Sequence, residues 1–143
     1  MASIIRNNKF NASVEIIYIQ RRKIFECMTT IYYKITDLRH ECYPINNLID
    51  QLKQLCNIHF IYEDQLLGEL DYQSADEDRL LHEKFMSSID HIKIEKNQCH
   101  MATIIYEFIN LRLEFITYLL NETKLFCDFI KNYFGDDSTI ITN

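Results

Sequence analysis

Pro44 is the only proline in 143 residues, and Gly68 and Gly135 are the only glycines. A sandwich or a barrel needs a tight turn every few residues, and tight turns draw on glycine and proline. A chain this poor in both is confined to long helices joined by few connections. The apolar spacing agrees. Val14, Ile17, Ile24, Met28, Ile31 and Ile35 recur by threes and fours, the period of one helical face. The reading is therefore all-α.

Four such segments follow one another. The first spans Ser13 to about Leu38, with Ser13 as a candidate N-cap and Pro44 setting the latest stop. The second runs from about Ile45 to Leu70 on Leu48, Leu52, Leu55, His59, Glu63 and Leu66, with Asn46 and Asn47 as candidate caps. The third starts near Ser74, where Ser74 and Glu77 have the spacing of a capping box, and ends near Lys96. Its face is Asp78, His82, Phe85, Ile89 and Ile92. The fourth, about Met101 to Phe134, carries Ile104, Phe108, Leu111, Phe115, Tyr118, Glu122, Leu125, Phe129 and Tyr133, and Gly135 stops it. Four long helices on short connections predict an antiparallel up-down four-helix bundle. It forms one domain over residues 1–143, with its core at about 13–134, an irregular N-terminal arm and a frayed tail from Asp136.

Composition narrows the function. The net charge of −6 leaves no basic stripe for nucleic acid. No stretch approaches the ~20 apolar residues of a membrane span, and the first ten residues lack a signal peptide's apolar run. Cys27, Cys42, Cys56, Cys99 and Cys127 stand singly, as free thiols of a cytoplasmic protein do. No P-loop, HExxH or nucleophile-elbow pattern occurs, so binding is expected rather than catalysis.

The residues that break the apolar faces carry the chemistry. Arg21, His59 with Glu63, Asp78 with His82, and Glu122 all fall at core positions. His59/Glu63 and Asp78/His82 are each four apart, which puts both members on one helix face. A buried unpaired charge costs several kcal/mol, so these groups must meet one another or a metal. His40, His91 and His100 lie off the faces and read as surface residues. The many tyrosines read mostly as core or half-buried packing.

These segments resemble the hemerythrin family. His59-Phe60-Ile61-Tyr62-Glu63-Asp64 is similar to the family's second-helix HFxxEE, with Leu67 and Tyr72 following. Asp78 to Met86 resembles HxxxHxxFL, Tyr118 to Glu122 resembles WLxxH, and Ile17 to Phe25 resembles IDxQHxxLF. The resemblance implies a hemerythrin-like bundle with a non-haem iron site at His59, Glu63, Asp78, His82 and Glu122, where Asp78 and Glu122 replace histidines. Arg21 stands where the family has its first-helix histidine, and a guanidinium cannot ligate a metal. Cys127 occupies the last ligand's place, with Asp128 beside it. Tyr118, one turn before Glu122, is within reach of the site.

One iron at Asp78, His82, Glu122 and Glu63 is thus expected rather than two, with oxygen or another small oxidant as its partner. The open alternative is a metal-free bundle held by an Arg21–carboxylate network and serving as an interaction or sensory module.

Overall fold

The computed structural model describes residues 2–37, 45–69, 75–98 and 101–134, and the side chains of 12–37, 45–69, 76–92, 102–120 and 122. Four helices account for all of them but Ile45: α1 (Ala2–Asp37), α2 (Asn46–Glu69), α3 (Ala75–Gln98) and α4 (Met101–Phe134). No strand occurs among the described residues. Helix α1 packs on α2, α2 on α3, α3 on α4, and α4 closes back on α1.

The start of α1 corrects the sequence reading. Helix begins at Ala2 rather than after an irregular arm, and Ser13 is a buried residue inside it rather than its cap. No glycine or proline precedes Pro44, so nothing interrupts the backbone ahead of Ser13. The proposed stop and cap signals at Pro44, Ser74 and Gly135, and the tail, lie outside the described residues.

One apolar core runs through all four helices. It contains Ile24, Met28, Ile31 and Ile35 of α1, Ile49, Leu52, Cys56 and Phe60 of α2, Phe85, Ile89 and Ile92 of α3, and Ile104, Phe108, Leu111, Phe115 and Leu119 of α4. Full burial of each such large side chain contributes about 1.5–3 kcal/mol. Among the described side chains, the faces read for α1, α3 and α4 turn inward; the side chains of Leu125 and Tyr133 lie outside that set. On α2 the buried row is Ile49, Leu52, Cys56, Phe60 and Leu67, while Leu48 and Leu55 are half-buried against it. Val14 is also half-buried, and the side chain of Phe129 lies outside the described set.

Cys27 donates to the Leu48 carbonyl across the α1–α2 seam. Cys27 and Cys56 are free and buried, and burial pushes both thiols up, which keeps them unreactive. The other three cysteines lie outside the described side chains. Tyr18, Tyr33 and Tyr106 are exposed rather than packed; Tyr32, Tyr62 and Tyr118 are half-buried. His91 is exposed, as expected. No described helix is long and apolar enough to cross a membrane.

Candidate metal centre

The inward polar groups sit one turn beyond one end of the apolar core. On α1, Arg21 follows Ile17 and precedes Ile24. On α2, Glu63 lies between Phe60 and the buried pair Leu66 and Leu67. On α3, His82 precedes Phe85, and on α4, Glu122 follows Leu119. The same face that builds the core therefore carries these side chains inward. His59, Glu63, Asp78, His82 and Glu122 are all buried, none more than 6% exposed, and Arg21 is 11% exposed. Carboxylates this deep require partners.

Glu63 is the centre of the arrangement. Its Oε1 accepts a hydrogen bond from the Tyr118 hydroxyl at 3.0 Å. Its Oε2 lies 3.0 Å from His59 Nε2 and 3.9 Å from Arg21 Nη2. Burial alone pushes the Glu63 carboxyl up. The hydrogen bond and charge of His59, with Arg21 and His82 behind it, outweigh burial and hold the group below the usual range, so it stays a carboxylate.

Arg21 donates from Nη2 to Glu122 Oε1 at 2.9 Å, a charge-assisted bond between α1 and α4. Glu122 Oε2 is buried without a hydrogen-bond partner. Glu63, His82 and Glu122 converge, each offering a ligand atom within 4.8 Å of the others.

Both histidines turn Nε2 toward Glu63 and Nδ1 outward. His59 Nδ1 is 2.9 Å from Gln20 Oε1. His82 Nδ1 is 3.0 Å from Asp64 Oδ1, and its Nε2 meets the Tyr118 hydroxyl. Burial lowers the His82 imidazole against the upward pull of Glu63 and Asp64, favouring the neutral ring, the form that binds metals. Phe60 stacks on the His82 ring at 4.1 Å between centroids and fixes its plane.

Asp78 stands outside the converging three. It is buried on α3 with Oδ2 unpartnered. Burial, with the charges of Glu63, Asp64 and Glu77 adding to it, raises its carboxyl to about 6. A cavity of about 500 Å³ between α3 and α4 reaches Asp78, His82, Tyr118 and Glu122 past Leu81 and Leu113. The side chains of Cys127 and Asp128 lie outside the described set.

Two site residues escaped the sequence reading. Gln20 and Asp64 hold the outer nitrogens of His59 and His82, yet neither was given a role. The signal was their place in the quoted segments, where Gln20 precedes Arg21 and Asp64 follows Glu63. Comparison with protein-family models, curated proteins and solved structures finds no match.

The donor set can be tested against the iron that the resemblance implies. A buried imidazole and two carboxylates suit iron, which accepts nitrogen and oxygen ligands alike. Glu122 Oε2 is buried without a hydrogen-bond partner, where Glu63 and His82 also offer donor atoms. The residues therefore fit one ion. They do not fit two, because the Arg21 guanidinium lies on the His59 side of Glu63, where a second ion would meet its positive charge.

Proposed function

We propose that this chain is a hemerythrin-like metal-binding protein with a single non-haem iron held by Glu63, His82 and Glu122, acting in oxygen, oxidant or iron handling or sensing. The observation that carries the reading is the convergence of buried Glu63, His82 and Glu122, each offering a ligand atom within 4.8 Å of the others, with the outer Nδ1 of His82 lying 3.0 Å from Asp64 Oδ1. Metal-ligating histidines almost always hold their second nitrogen in this way, which fixes the tautomer and aims the other nitrogen at the ion. The two-residue link between α3 and α4 and the closed ring of packed helices support an antiparallel up-down order.

Iron in such a site supplies a Lewis-acidic, redox-active centre. The chain's own residues do the rest. Arg21 neutralises one oxygen of Glu122. Gln20 and Asp64 orient the imidazoles, Phe60 shields His82, and the α3–α4 cavity admits a small molecule.

A second reading rests on the 2.9 Å Arg21–Glu122 bond. A buried Arg–carboxylate network can hold the bundle with no ion, leaving an interaction or sensory module. Metal analysis of protein purified without chelator, with an absorption spectrum in air, separates the two. Close to one iron per chain supports the metal reading, and protein that takes up no metal when offered ferrous or ferric salt refutes it.

A further inference from the structure

We propose that the Tyr118 phenol is itself a metal ligand, binding the ion as phenolate together with Glu63, His82 and Glu122. The inference rests on the metal reading above and goes beyond it, since it assigns a fourth donor and selects the oxidation state. The Tyr118 hydroxyl is in contact with two donor atoms at once, His82 Nε2 and Glu63 Oε1, the latter at 3.0 Å. Those are atoms of two of the three residues that converge. An oxygen in contact with both stands beside the donor atoms of the site, as a further ligand would. Tyr118 also lies one turn before Glu122 on α4, so both side chains leave the same helix face toward α2 and α3.

Without an ion, the phenol O–H satisfies Glu63 Oε1 and the ring packs against Phe60 and Phe115. When the ion enters, the phenol proton leaves to bulk water and the oxygen electron pair bonds to the ion; neither step changes an oxidation state. Binding to metal ions releases protons from ligands in this manner. With Glu63, Glu122 and the phenolate as anions and His82 neutral, the ligand charge is −3. Three hard anionic oxygen donors favour Fe(III) over Fe(II), with Arg21 offsetting part of the Glu122 charge. The ligand set then favours ferric storage or sensing of oxidant over reversible oxygen carriage.

The test is spectroscopic. The whole chain is loaded with Fe(III) delivered as its nitrilotriacetate chelate, desalted, and examined for iron content, visible absorption and resonance Raman scattering. The expected result is iron bound at close to one per chain, with a broad visible phenolate-to-iron band and enhanced tyrosinate ring modes in the parent protein. Tyr118→Phe, which keeps the ring packing, loses the band while still taking up iron. Tyr106→Phe, at a position 64% exposed, keeps it.

Iron bound by the parent without tyrosinate modes overturns this inference and leaves the metal reading standing. A band that survives in Tyr118→Phe overturns it as well, since another tyrosine then supplies the phenolate. Absence of iron uptake in the parent, seen directly in the metal analysis, overturns both.

Discussion

Arg21→Ala is the most informative single change, because Arg21 is the cation that the buried carboxylates share. Its Nη2 lies 2.9 Å from Glu122 Oε1 and 3.9 Å from Glu63 Oε2. Those two carboxylates are 4% and 1% exposed, so water does not replace the guanidinium. Glu63 keeps His59 and Tyr118 as partners, and most of the loss therefore falls on Glu122. Breaking a buried pair from one side costs about 3–5 kcal/mol. With a urea slope of about 2 kcal/mol per M, the unfolding midpoint of the metal-free protein falls by about 1.5–2.5 M.

Acid reports on the smaller part of the loss that runs through Glu63. Glu63 is held below its ordinary 4.5 in the fold, so its contribution is complete above that value and disappears as pH falls through the folded value. The part of the gap that runs through Glu63 accordingly narrows as pH falls below 4.5 and through the folded value. The assay is equilibrium urea unfolding, followed by circular dichroism in the presence of chelator, at pH 7 and again at acid pH. An Arg21→Ala protein as stable as the parent at pH 7 refutes the buried-network account.

Other outcomes follow from the same geometry. Arg21→His replaces the blocking cation with an imidazole and raises iron uptake above that of the parent, as metal analysis would show; two irons per chain in the parent itself would contradict the role given to Arg21. Asp64→Asn weakens the hold on His82 Nδ1 and lowers iron affinity about 10–100-fold, measured by competition with a chelator, and an unchanged affinity argues against that role. Asp78, raised from 3.8 to about 6 in the fold, binds its proton more tightly folded than unfolded. It therefore destabilises the protein increasingly as pH rises between those values. Asp78→Asn should accordingly stabilise the metal-free protein at pH 7, by on the order of 1–2 kcal/mol after allowance for screening by water, with little effect at pH 4; thermal unfolding at the two pH values checks the sign.

Helix α3 was legible because every inward position is either strongly apolar or charged: Asp78, His82, Phe85, Ile89 and Ile92 are all buried. Helix α2 was less so. It has two apolar rows one residue apart, Leu48 with Leu55 and Ile49 with Cys56, and the helical period alone does not choose between them. Packing against α1 and α3 chose the second. The reach of α1 back to Ala2 was hidden because residues 2–12 carry no clear apolar repeat, so the absence of a breaker was the only clue. At the site, charges at apolar positions gave away Arg21, His59, Glu63, Asp78, His82 and Glu122. Asp64 and Gln20 gave no such signal, since each lies beside the seam and its role depends on what crosses from another helix. Tyr118 was visible only as a neighbour, because a tyrosine that packs and one that bonds at a site look the same in one dimension.

The two readings of the site differ less in structure than in their cation count. Glu63, Asp64, Asp78 and Glu122 bring four carboxylates to one level of the bundle, and Arg21 pairs there with Glu122 and Glu63. One guanidinium on the α1 side cannot neutralise them all. The consequence is visible on the far side, where Glu63 and Asp64 add to burial in raising Asp78. A chain can relieve such an excess by protonating a carboxyl or by binding a second cation. Protonation of Asp78 relieves part of it only below about pH 6. Above that, on the metal reading proposed here, an ion on the α3–α4 side, where Glu63, His82 and Glu122 converge and the cavity leads in, would add to the charge that Arg21 and His59 supply. Under the metal reading, Arg21 and a single ion do not compete for one position. On that reading the arginine pairs with Glu122 and Glu63 from α1 and leaves the α3–α4 side open to a single ion.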